Sequence, residues 1–184
     1  MLTETDPRTS AFVNLNAVLG ALPELCRRVP AAEEILARDP RTTSLGFAVR
    51  GGPHATLAFA GDAVTLVPDR TTATIVLPFR SPAAFNRVID GDAQPIPVTG
   101  FHRVPFLLKV FAPLTELLTR YLRPSAADLA DPGFRATSTV LTLYVAAAAI
   151  AQVANEDTSG RFSAHLIPDG DVALEVTGSV AYTL

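Results

Sequence analysis

The side chains that could do chemistry are few and scattered. His54, His102 and His165 show no His-x-x-His, His-Glu-x-x-His or Cys-His spacing, the local patterns that hold a zinc ion or activate a nucleophile. Glu33-Glu34 and Asp90/Asp92 are the nearest carboxylate pairs, the kind of pair that could protonate and attack a glycosidic bond. Their contexts offer a simpler reading. The first pair stands at the start of a helical pattern, and the second brackets a turn glycine. Gly51-Gly52 lacks the following Lys-Ser/Thr of a phosphate loop, Gly-x-Gly-x-x-Gly does not occur, and no serine sits in a Gly-x-Ser-x-Gly elbow. Cys26 is alone, which excludes an intramolecular disulfide and a cysteine-based zinc knuckle. The expectation is a non-enzymatic protein with no metal and no cofactor.

Composition narrows the partners. With 48% hydrophobic and 18% charged residues the 184-residue chain can build a sizeable core and is poor in surface charge. A net charge of -3, with only Arg120 and Arg123 beside Tyr121 as a basic cluster, gives no electrostatic footing for nucleic acid. Residues 1–8 carry acidic groups and no apolar signal core, so a cytoplasmic location is expected. The longest apolar run, Leu143 to Ala151, has about nine residues, short of the roughly 20 that cross a bilayer. No transmembrane segment is expected.

The elements follow from periodicity. Phe12, Leu15, Leu19 and Leu22 recur at helical spacing after a cap at Thr9 or Ser10, and Pro23 and Pro30 open two further short helices. Between Thr42 and Pro78 the period becomes two: Leu45, Phe47 and Val49, then Ala55, Leu57 and Phe59, then Val64 to Val67, then Ala73 to Leu77. Gly51-Gly52-Pro53, Gly61-Asp62 and Pro68-Asp69-Arg70 separate them, and an antiparallel meander is the economical arrangement. Ser81-Pro82 reads as an N-cap with proline at the first helical position, in a helix that ends at Gly91. Ile96 to Thr99 reads as an edge strand closed by Gly100, because Pro95 and Pro97 cannot donate to a ladder.

One apolar stripe runs from Phe106 to Leu122, which Pro113 should kink or divide. Thr137 to Ala154 reads as a third long helix, expected to be buried. Phe162 to Ile167, Val172 to Val176 and Val180 to Leu184 read as two or three strands. Their order echoes the earlier meander, either as an internal repeat or as two generic sets of hairpins. The expected division is a domain over residues 1–124 and an extension over 125–184 that completes or extends the sheet, or pairs with a second chain to form a homodimer.

The order helix, four strands, Ser81-Pro82-x-x-Phe85 helix, Asp90-Gly91 and a strand ending at Gly100 resembles the sterol carrier protein 2 (SCP2) family of lipid-transfer domains. ATLAFAGDAVTLV and SPAAFNRVIDGDAQP match the family's strand pair and following helix, and PVTG with the segment after it matches its last strand, glycine and apolar helix. The resemblance covers roughly Ala31 to Leu122, about half the chain. It implies an α+β fold, with a mainly antiparallel curved sheet of about five or more strands covered by helices. It further implies an apolar tunnel for a fatty acyl chain, sterol or similar lipid. Phe79, Phe85, Ile89, Phe106, Leu107, Phe111, Leu114, Leu118 and Tyr121 are its expected ligand-binding residues. The alternative reading keeps the same fold as a structural module whose apolar helices and open strands meet another protein.

Overall fold

A computed structural model describes residues 6–68, 72–166, 173–176 and 180–183. The chain opens with α1 (Pro7–Phe12), whose N-cap is Asp6 rather than Thr9 or Ser10: its carboxylate accepts from the Arg8 amide. The helix widens into a π turn, Val13–Val18, and tightens into a 3-10 turn, Leu19–Ala21, before α2 (Leu22–Arg28). Pro23 accounts for the change of pitch. Its ring would meet the carbonyl four residues back in a regular helix, and the irregular turns move that carbonyl aside. α3 (Pro30–Leu36) follows.

Four strands form one sheet: β1 (Thr43–Val49), β2 (His54–Ala60), β3 (Ala63–Pro68) and β4 (Ile75–Phe79). The spatial order is β3-β2-β1-β4, with β4 parallel to β1, so the sheet is mixed and four-stranded rather than antiparallel with five or more strands. Two features of the sequence explain this. β1 is buried at nearly every position and needs a neighbour on each side, whereas β3 is largely exposed and ends the sheet. Ser44 then fixes the entry to β4: its hydroxyl accepts from the Thr74 amide at 2.9 Å and meets the Thr74 hydroxyl at 3.2 Å. The parallel register sets Leu45, Phe47 and Val49 beside Ile75, Leu77 and Phe79, all on one buried face.

The segment after α4 (Pro82–Ile89) touches β4 through a single bridge between Val76 and Thr99, so the expected edge strand shrinks to one pair. The Ser81 cap is present, accepting from Ala84 N at 3.2 Å, and Gly91 ends the helix at φ +85°. A 3-10 turn, Phe101–Arg103, leads to α5 (Val104–Phe106), a π turn over Leu107–Phe111, and α6 (Ala112–Leu122). Pro113 sits in the first turn of α6, just past the π turn, so the helical run changes pitch before the proline and is not divided.

α7 (Pro132–Glu156) begins five residues before the expected Thr137, because Asp131 caps it through the amides of Gly133 and Phe134. The expectation that this helix is buried fails. It packs on the helical layer formed by the first segment and α6 rather than on the four-stranded sheet, with α8 and β6 also against it, and only Ser138, Leu141, Ala147 and Ala148 are buried. α8 (Thr158–Ala164) follows, so Phe162 lies in a helix and not in the expected strand. β5 (Ala173–Val176) and β6 (Val180–Thr183) pair with each other in a separate two-stranded sheet. Ile167 and the turns expected around Asp69-Arg70, Pro168-Asp169-Gly170 and Gly178-Ser179 lie outside the described residues.

Candidate functional site

The nine residues expected to wall a tunnel come together, but they pack on one another. Phe79, Phe85, Phe106, Leu114 and Leu118 are buried in the main core, and Ile89, Leu107, Phe111 and Tyr121 pack against it half-buried. Aromatic edges close the gaps. Phe85 meets Phe79 at 4.9 Å and Phe47 at 6.3 Å between ring centres, and Phe106 meets Phe59 at 5.0 Å. Phe111 meets Phe47 at 6.1 Å. Tyr121, the last of the nine, lies under the start of α7, stacked 4.2 Å from Phe134.

The residues with catalytic potential stay apart. His54, His102 and His165 are exposed, as are Glu33, Glu34, Asp90 and Asp92. Among the described residues no group of His, Cys, Asp and Glu is placed to hold a metal ion. Burial pushes the Cys26 thiol up to about 11, which keeps it protonated and unreactive at neutral pH.

One buried polar cluster was not legible beforehand. Arg103 is 5% exposed and donates to the Asp39 carboxylate, to the Arg41 carbonyl and to the Thr43 hydroxyl. Its guanidinium also lies over the Phe106 ring at 5.6 Å. Arg41 grips the same carboxylate from outside, with bonds of 2.8 and 2.9 Å. That hydrogen bonding, with the charge of Arg103, holds the Asp39 carboxyl down to about 2. Its polar atoms are spent on each other, so the cluster works as a clasp between the loop entering β1 and the helical run after Gly100.

The surface that stands out is the outer side of α7. Its inner side is pinned at both ends: Ser138 donates to the Tyr121 carbonyl at 2.6 Å, Asn16 donates to Gln152 at 2.9 Å, and Arg8 pairs with Glu156 at 2.6 Å. Among the described residues the side chains on its outer side between Arg135 and Glu156 form no hydrogen bond or ion pair to another element. No Asp, Glu, Lys or Arg occurs between Arg135 and Glu156, and Thr139, Thr142, Ala146, Ile150 and Val153 are all exposed. Ile150 is 55% exposed. By length and composition α7 could cross a membrane, yet only 22% of its most apolar stretch is buried. Counting unbroken apolar runs hid this, because Thr, Ser and Gln interrupt the run without adding charge.

Two shallow clefts flank the same side of α7. One, of about 470 Å³, lies between α1, α4 and the Ala149 to Val153 turn of α7; the other, of about 590 Å³, lies beside Arg28 and is lined by Arg135, Thr139 and Leu143. None of the nine expected wall residues lines either one.

These features define an α+β fold with a packed interior, no assembled reactive group among the described residues, and an outer helix that is uncharged between Arg135 and Glu156. No family model, curated protein or solved structure matches the chain.

Proposed function

We propose that this chain is a non-enzymatic protein-interaction module, an SCP2-like scaffold that presents the outer face of α7 to another protein surface. One observation carries the reading. A 25-residue helix, tied down along its inner side, leaves a continuous uncharged face in water. A helix that faced only solvent would be expected to carry charge on that side. The SCP2-like part of the reading is supported by the order of elements from the β2–β3 pair through α4 to the bridge at Thr99, Gly100 and the apolar helical run. Filled packing of Phe79, Phe85, Phe106, Leu114 and Leu118 favours this reading over lipid carriage, since a ligand in their midst would have to part them.

Benzoylphenylalanine in place of Ile150 tests it by photocrosslinking in cells. The expected result is a discrete protein adduct that is absent when the probe replaces the exposed Glu34. No adduct from either position, or stoichiometric acyl lipid retained by the purified protein in native mass spectrometry, would overturn the reading, and the second result would restore lipid carriage.

A further inference from the structure

We infer that the partner of α7 is an acidic protein segment, which sets a carboxylate and a neighbouring apolar side chain into the cleft beside Arg28 and Arg135. This rests on the reading of α7 as an interaction surface and names the chemistry of its partner. α8 and β6 also lie against α7, and α8 folds back at its far end, where Gly160 sits on the Val153 carbonyl. The cleft lies toward the near end, and α2 and α7 supply all of its described lining. Two guanidiniums stand in that lining with no carboxylate. Arg28 gives its Nε–H to Glu24, whose other oxygen accepts from Arg27, so one carboxylate serves two cations there. The terminal nitrogens of Arg28 make no hydrogen bond among the described residues. The Arg135 guanidinium reaches only the Leu129 carbonyl, at 3.5 Å. Asp131, one turn before it, is turned to the amides of Gly133 and Phe134 that it caps.

Charge complementarity names the occupant. A guanidinium offers parallel N–H donors that match a carboxylate in a bidentate pair, and two such forks stand here with donors to spare. Between them the lining is uncharged, with Pro132, Ala136, Val140 and Leu143 as its apolar part. An anion without an apolar neighbour would leave that part in water, so the occupant carries both. Two other anionic partners fit less well. A nucleic acid repeats its phosphates and calls for cations in a row, whereas Arg135 is the one cation of α7. An anionic bilayer laid along the same helix would also meet Asp90 in the cleft toward the other end, whose described lining holds no cation. A protein segment can be acidic at one end of α7 and not at the other.

Benzoylphenylalanine in place of Thr139, which lines the cleft, tests this by photocrosslinking of the full-length chain in cells, with Ile150 as the reference position. The adduct is digested and sequenced by mass spectrometry. The linked partner peptide is expected to hold Asp or Glu within about four residues of the linked one, a helical turn's reach. Arg135→Glu, a change at an exposed position, should cut the adduct yield about tenfold, and Arg28→Gln should lower it as well. Arg50→Glu, exposed on the turn between β1 and β2, should leave it unchanged. Thermal unfolding checks that the variants are folded, and either arginine variant of the cleft suffices. A linked peptide without acidic residues, a lipid or nucleic acid in the adduct, or a yield indifferent to the folded variants overturns the proposal. So does a protein adduct at Ile150 with none at Thr139, which leaves the interaction reading standing; failure at both positions removes that reading too.

Discussion

Arg103 donates to the Asp39 carboxylate at 3.1 Å across 64 positions of chain, closing the loop before β1 onto the helical run after Gly100. The two partners are unequal. Asp39 has a second guanidinium in Arg41, whereas Arg103 has Asp39 as its carboxylate. Asp39→Ala therefore strands a buried cation and should cost about 3 kcal/mol. Arg103→Met keeps the stem packed on Phe106 and leaves Asp39 with Arg41, so it should cost less than half as much. Urea unfolding of both variants measures the difference; equal losses would show that the pair is not the source of the effect.

The same carboxylate sets an acid limit. Hydrogen bonding from Arg41, together with the charge of Arg103, lowers the Asp39 pKa from 3.8 to about 2. Arg120 and then Ser125 do the same to Asp128. A carboxyl with a depressed folded pKa stabilises the fold fully above its unfolded value, and that contribution is lost as pH falls through the folded one. Wild-type stability should therefore decline between about pH 4 and pH 2. Asp39→Asn, which starts less stable at pH 7, should show a shallower decline across that window in urea titrations at each pH.

What could be read beforehand had local causes. Ser81 before Pro82 fixed a helix start, Gly91 a helix end and Pro113 a change of pitch, because each acts within about one turn of itself. What could not be read depended on distant partners. Nothing near Ile75 says that it will run beside Leu45 rather than beside β3; the Ser44 hydroxyl helps decide that from the far side of three connections. Phe85 and Leu114 were recognisable as apolar positions, but whether such residues line a space or fill it depends on Phe47, Phe59 and Phe79 reaching them across the sheet. The isolated Arg103 within an apolar stretch was the visible sign of the clasp. For α7 the sign was the missing charge between Arg135 and Glu156.

Gly100 should be the least replaceable of the turn glycines. Its φ is +74°, and a Cβ there would stand 2.4 Å from the Thr74 carbonyl oxygen, a backbone atom that cannot swing away. Gly51 has nearly the same conformation, at φ +73°, with nothing within 4 Å of its would-be Cβ. Gly51→Ala then carries only the conformational penalty, about 1 kcal/mol. Gly100→Ala adds a clash with Thr74 and Ile75 where β4 begins, and should cost at least about 3 kcal/mol. Similar thermal midpoints for the two variants would remove the close approach as an explanation.

Phe85→Ala separates a filled interior from a lined one. Phe85 is fully buried, edge-on to both Phe47 and Phe79, at the point where α4 covers the sheet. If those rings fill the interior, truncation removes their shared contacts and leaves a void, costing about 3–5 kcal/mol. An apolar void of that kind stays dry and accepts a benzene-sized molecule, so the variant should be restabilised by benzene while the wild type is indifferent to it. A wall residue of an existing tunnel would behave otherwise. Its loss would cost little, because the space beside it is already empty, and the wild type itself would respond to the ligand. Thermal unfolding of both proteins with and without benzene gives four midpoints, and a wild-type shift as large as the variant's would reopen the tunnel.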